Sequence, residues 1–363
     1  MMREPFFSDK KILVIDQSEK KQNDRTWCFW EKQTGLFEPV VHHRWERIHF
    51  FSDEFSSALH LAPYQYKMIR GIDFYSYVKT ESAKHPNIEW RTEKIKAITN
   101  NHNKAIVETE TAIFTSEYVF NSILFKEISG AKKAKYLLLQ HFKGFSIQTK
   151  EPCFDDSIAT FMDFRISQQY GTAFMYVLPT SSTTALIEYT LFTEKLLQKE
   201  AYETVLREYI SSGLSVPDYE IVHEEFGVIP MTNKRFPLQD GRIVYMGVAG
   251  GQVKASSGYA FQFIQKRTEQ IIQSMLTKGN PFTRRSFADR KCQLYDSVLL
   301  NVLSKNKMKG DKIFTRIFQH NPPERILQFL DNESSLYNDM QIMRSVPSNI
   351  FLPAAFYELI RSI

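Results

Sequence analysis

The chain has 363 residues, enough for about two domains, and its 43% apolar and 24% charged content excludes long disordered tails, collagen and coiled coil. A net charge of +5, with no dense Lys/Arg block among aromatics, leaves no nucleic-acid footprint, though it suits contact with anionic lipid. No apolar run approaches the ~18 residues of a membrane-spanning helix. The three cysteines, Cys28, Cys153 and Cys292, lie far apart with no metal or redox spacing, which predicts a reducing, cytoplasmic compartment.

In chain order, Ile12–Asp16 is a continuous apolar run ending in an acid, which predicts a strand buried on both faces of a parallel sheet. Residues 44–62 alternate in short β-like pieces. Gly71 to Lys84 predicts a helix stopped by Pro86, and Ile88–Trp90 and Lys94–Thr99 predict strands. Asn100-Asn101-His102-Asn103 is a turn signal returning into Ala105–Thr109 as a hairpin, and Glu117–Ser122 closes this region. From about Tyr136 to Thr190 four strands are predicted, then a helix over 195–210 and a strand over 219–229. Arg242–Met246 is a short strand followed by a glycine loop and a helix from about Ser256 to Leu276. Only 14 glycines occur, and five fall between Gly241 and Gly258. After Pro281 helices with apolar stripes are expected: Leu294, Val298 and Val302; Phe314, Ile317 and Phe318; Ile326, Leu327, Phe329 and Leu330. The resulting division is 1–130, 131–230 (β-rich), 231–278 and 279–363 (helical), with the first and third segments forming one α/β unit.

Three stretches in this order resemble the flavin-dependent lycopene cyclase family, in its bacterial beta-cyclase branch: ILVID…NDRTWCFW (Ile12–Trp30), FMDFR…FMYVLPTSSTTALIEYTLF (Phe161–Phe192) and FGVIPMTNKRFP…GVAGGQVKASSGYAFQFIQ (Phe226–Gln265). The resemblance implies an α/β fold: an FAD-binding, doubly wound, glutathione-reductase-like domain interrupted by a β-rich substrate domain, with a helical C-terminal tail. Family members carry a strand, a G-x-G-x-x-G turn and a helix before the strand matched by Ile12–Asp16. By that comparison the chain is expected to lack the first strand, as a fragment or a start codon called too late.

The resemblance also implies roles for residues. Asp16 would accept the ribose hydroxyls of FAD, and Arg25 would bind its pyrophosphate. Gly247, Gly250, Gly251 and Gly258 would allow close backbone approach, with Ser256 or Ser257 capping the following helix toward the flavin and Lys254 or the helix dipole facing reduced flavin. Val248 follows Gly247 where many such flavoproteins carry Asp, so no carboxylate is assigned to the ribityl chain. Glu188 is the expected general acid, provided it points inward; pointing outward it is an ordinary strand glutamate. Asp163 is a second catalytic candidate, with a structural pair to Arg165 as the other reading. The implied activity is acid-initiated, non-redox closure of lycopene ends to beta-ionone rings, assisted by reduced FAD with NAD(P)H as electron source. A linear carotenoid and the inner membrane surface, met peripherally, are the implied partners; neither nucleic acid nor metal is. Another flavoprotein of this fold (hydroxylase or prenyl reductase) and an inactive remnant remain the other readings.

Overall fold

The computed structural model describes residues 1–101, 103–125 and 136–361. His102 of the expected turn and the boundary expected between residues 130 and 131 lie outside the described residues. The chain opens with β1 (Ile12–Asp16), β2 (Thr26–Glu31), β3 (His43–Trp45), β4 (Arg47–Phe51), β5 (Ser56–His60) and β6 (Gln65–Arg70), then α1 (Gly71–Ser82). Next come β7 (Ile88–Thr92), β8 (Ile95–Asn100), β9 (Ala105–Thr109), β10 (Ile113–Ser116) and β11 (Val119–Asn121). Four long strands follow: β12 (Leu137–Gln148), β13 (Ile158–Asp163), β14 (Thr172–Pro179) and β15 (Thr184–Thr193). Then come α2 (Lys199–Glu208), β16 (Glu220–Thr232), β17 (Gln239–Asp240), β18 (Ile243–Tyr245) and α3 (Phe261–Lys278). The chain ends in α4 (Phe287–Ser304), α5 (Gly310–His320), α6 (Pro323–Leu330), α7 (Leu336–Arg344) and α8 (Ser348–Ile360).

Outside the largest sheet, the parallel pairs fall into two pieces. β1 pairs with β7, and β11 pairs with β18, whose other neighbour is the antiparallel β17. This pairing corrects one expectation: β1 is not buried on both faces, because it has a single strand neighbour and leaves Leu13 exposed.

The largest sheet has seven strands in the order β16-β12-β15-β14-β13-β4-β5. It draws β4 and β5 from the first segment, with β4 running parallel to β13. Alternation along these strands builds two cores, because successive side chains leave opposite faces. One face, with Phe145, Met175, Ile187 and Tyr189, packs on Tyr202 and Leu206 of α2. The other, with Phe50, Phe161, Phe164 and Phe174, packs on the C-terminal helices through Phe314 and Phe318. Phe50 stacks on Phe318 at 4.2 Å between ring centres. Most of the apolar stripes expected after Pro281 are therefore core: Val298, Val302, Phe314, Phe318, Ile326, Leu327 and Leu330 are all buried.

Candidate active site

β15 carries the sequence TALIEYTLFT. Its two-residue period sends Ala185, Ile187, Tyr189 and Leu191 against α2. Leu186, Glu188, Thr190 and Phe192 therefore face the opposite side, and the expected inward direction of Glu188 is what the strand delivers. Strand pairing then aligns four residues in one row across the sheet: Tyr176 on β14, Glu188 on β15, Gly144 on β12 and Glu225 on β16. Neighbouring strands lie ~4.8 Å apart, so the two glutamates are rooted about 10 Å from each other. They meet because the residue between them has no side chain. A Cβ on Gly144 would stand 3.0 Å from Glu225 Cγ and 3.1 Å from Leu186 Cδ1.

The Glu188 carboxyl hydrogen-bonds to that of Glu225. Glu188 also accepts from Thr190 Oγ1 at 2.7 Å, and Glu225 accepts from Thr26 Oγ1 at 2.8 Å. Burial pushes the Glu188 carboxyl well above the ordinary glutamate range, and the charge of Glu225 pushes it further. Burial raises Glu225 as well, against hydrogen bonds from Thr26 and Glu188 that favour its anion. In a coupled pair of this kind one carboxyl favours its protonated form, and burial together with the Glu225 charge favours that form at Glu188. A neutral carboxylic acid facing a cavity can donate a proton to a weak base.

That cavity, about 360 Å³, has Glu188 and Glu225 in its wall together with Tyr66, Tyr176, Tyr259, Leu178, Leu186 and Phe142. The Tyr66 and Tyr176 hydroxyls each contact the Tyr259 hydroxyl at 3.3 Å. Burial raises all three phenols, and it raises the Cys28 thiol in the same wall, so these groups stay neutral. Arg25, Trp27, Ser257 and Gly258 complete the wall. Trp27 Nε1 and Ser257 Oγ are buried with no hydrogen-bond partner among the described residues. Gly258 adopts φ +74°, and a Cβ there would fall 2.0 Å from Gln140 Oε1. Two unsatisfied polar groups beside a glycine-lined wall suit the polar edge of a planar heteroaromatic ligand.

Of the expected cofactor residues, Arg25, Ser257 and Gly258 thus join Glu188. Gly247 opens the loop after β18, beside Ser122, at φ +57°. Gly250 and Gly251 instead line a second cavity of about 290 Å³. Asp16, at the end of β1, accepts from the Ser18 amide at 2.9 Å and lies 3.5 Å from Lys20; neither cavity includes it. Asp163 is not brought to Glu188. Its carboxylate, 1% exposed, holds both nitrogens of Arg165 at 2.9 and 2.7 Å and accepts from Tyr209 at 2.8 Å, which makes it a structural tie. Lys254 also turns away: it donates to Asp296 and Asn332 at 2.8 Å in the second cavity. The helix expected from Ser256 starts at Phe261, after Ala260, with no side-chain cap. Ser256 donates to Asp296 instead, and the turn containing Gly258 at positive φ borders both cavities, 251–255 on the second and 257–260 on the first.

Glu225 and Gly144 did not stand out in the sequence. The available signal was the pair Glu224-Glu225 directly before FGVIPMT: in a strand one of the two must face inward. Lys143 takes up Glu224, leaving Glu225 for the interior. Among the described residues no group of three or more His, Cys, Asp or Glu could hold a metal ion.

Comparison with solved structures places the fold among flavoproteins. A flavoprotein/dehydrogenase from Cytophaga hutchinsonii superposes with a TM-score of 0.64 at 11% identity, covering 98% of this chain and 94% of that one. A geranylgeranyl bacteriochlorophyll reductase-like protein from Thermoplasma acidophilum gives 0.57 at 9% identity, over 97% and 99%. A flavin-dependent brominase gives 0.63 at 11% identity, over 93% and 92%. No curated protein matches the sequence. The lycopene cyclase protein family model matches residues 8–354, nearly the whole length, and the chain belongs to that family.

Proposed function

We propose that this chain is a lycopene beta-cyclase acting through Glu188 as general acid. The observation that carries the reading is the half-buried Glu188 carboxyl, hydrogen-bonded to a second carboxyl at the wall of an aromatic cavity. Protonating a terminal double bond creates a tertiary cation, which a neighbouring double bond attacks to close the ring. The faces of Tyr66, Tyr176 and Tyr259 offer cation–π stabilisation along the cavity wall. About 360 Å³ accommodates one end of a long polyene, so the rest of the substrate must remain outside.

Trp27, Ser257 and Gly258 would hold the ring of FAD, with Arg25 beside it and Gly247 and Asp16 along the cofactor's course. Bound there in its reduced form, with NAD(P)H as electron source, the flavin supplies negative charge facing the cation. Delivery from a bilayer suits the mouth of this cavity, where Phe226 and Val228 line the wall and are 51% and 41% exposed, next to Val222. A second exposed apolar face lies on α8, at Leu352, Phe356, Leu359 and Ile360. No described helix is long and apolar enough to cross a membrane, so the proposed association is peripheral.

The test is expression in lycopene-accumulating cells, with the protein followed through flotation on lipid vesicles. The wild-type protein should float with vesicles and form beta-carotene of unchanged mass, whereas a reductase or hydroxylase would change the mass. Glu188→Gln should lose at least about 100-fold of the cyclised product, the scale of general-acid catalysis. Undiminished ring formation by that variant rejects the assignment of the acid, and wild-type protein left free of vesicles rejects the lipid contact.

A further inference from the structure

Ring closure leaves a cation that must lose a proton, and the position from which it leaves decides where the ring double bond lies. We propose that Glu225 takes that proton, so that the Glu188–Glu225 pair lends one proton and recovers it in each turnover and directs formation of the beta ring. This rests on the cyclase reading above.

The step balances without an oxidant or reductant. The Glu188 O–H bond breaks as its hydrogen bonds to the CH carbon of the terminal double bond, which leaves the tertiary cation on the dimethyl carbon. The pair of the neighbouring double bond closes the ring and leaves positive charge on the next carbon. The C–H bond at the ring junction breaks, its electron pair becomes the ring double bond, and the proton passes to Glu225. Transfer along the carboxyl–carboxyl hydrogen bond then restores Glu188.

Geometry favours a second carboxyl in this role. The carbon that gains the proton and the carbon that loses one are both bonded to the same quaternary carbon. They therefore lie about 2.5 Å apart, as ~1.5 Å single bonds require. Oxygens in an O–H···O⁻ hydrogen bond are about 2.6 Å apart. Neighbouring carboxyls can thus serve both carbons without the ring turning over. The row Glu188–Gly144–Glu225 supplies that pair on one face of the sheet, and Glu225 is only 7% exposed, so bulk water does not compete for the proton.

The groups around Glu225 leave it as the available base. Thr26 and Cys28 face it from β2, Glu188 from β15 with Tyr176 beyond it on β14, and His223 from its own strand. Tyr176 and Cys28 are held neutral by burial, and Glu188 carries the proton.

The experiment compares wild type, Glu225→Gln, Glu225→Asp and Glu188→Gln in lycopene-accumulating cells and as purified flavin-loaded proteins, reading ring type and the pH profile of kcat/KM. Wild type should show a bell: both carboxyls protonated at low pH removes the base, and both ionised at high pH removes the acid. Glu225→Gln should lower beta-ring yield by at least about 100-fold, or divert product to a ring isomer with its double bond elsewhere, and should lose the low-pH limb. Glu225→Asp, which keeps the carboxyl, should recover part of the beta ring. Full beta-ring yield from Glu225→Gln overturns the proposal, as does equal loss in Gln and Asp variants with unchanged pH limbs. Absence of any cyclised product from wild type would instead reject the cyclase reading itself.

Discussion

The two cavities share a wall, Val248 and Val253 of the glycine loop, yet they treat charge in opposite ways. In the first, Asp24 pairs with Arg25, but Glu188 and Glu225 face each other and hydroxyls. Glu188 and Glu225 have no cationic partner in that wall's hydrogen bonds, so one of them must hold a proton. In the second, two buried or half-buried cations are matched to acids: Lys254 pairs with Asp296 and Lys266 with Glu333, each at 2.8 Å. Asp331 is the intermediate case, raised to about 7 by burial while Lys266 pulls it down. Matched charges stay ionised and quiet, whereas a group set beside its own kind is held ready to transfer a proton. Arg267 breaks the pattern in the second cavity. It is 6% exposed, its Nε and Nη2 have no partner among the described residues, and burial with nearby Arg285 lowers its pKa.

Three perturbations of stability test this contrast. The largest effect should come from Lys254→Met, which strands the buried Asp296 carboxylate without its cation. A loss of about 3–5 kcal/mol in urea unfolding is expected for breaking one side of a buried pair, and a loss below 1 kcal/mol would mean that the pairing is not what keeps this cavity in place. Arg267→Met should act in the other direction, gaining about 1–3 kcal/mol by removing buried donors that lack acceptors; a destabilised variant would show that Arg267 has a partner in solution. The smallest effect concerns pH. Glu188 and Glu225 have native values above the ordinary glutamate value of about 4.3, so between those limits the native state binds more protons than the unfolded chain. Their contribution is fully present below that range and declines as pH rises through it, at about 1.4 kcal/mol per unit of raised pKa. Glu188→Gln should flatten this decline; an unchanged slope would place the dyad in an environment closer to water.

Much of the architecture was readable because it depends on local pattern. The hairpin β8–β9, the long strands β12 to β16 and the helical tail follow from period-two runs, turn residues and apolar stripes. Glu188 was legible as a motif residue, but its direction was not, since a one-residue change of register would turn it to the α2 face. For Asp163 the structure shows the pairing with Arg165 that the sequence offered as the other reading, joined by Tyr209, while Lys254 meets Asp296, a partner 42 residues away that no local motif marks.

By itself the sequence determined the order of strands and helices, the family, and the existence of an acid on β15, because these depend on residue type and spacing along the chain. Only the tertiary structure decided that Glu225 stands across Gly144 from that acid, and that burial and each other's company raise both carboxyls beside an aromatic cavity. Residues 144, 188 and 225 are far apart in the chain, and strand register alone sets them in one row. A carboxyl's ionisation answers to its neighbours in space and to its access to water, and neither is written in any one stretch of the chain.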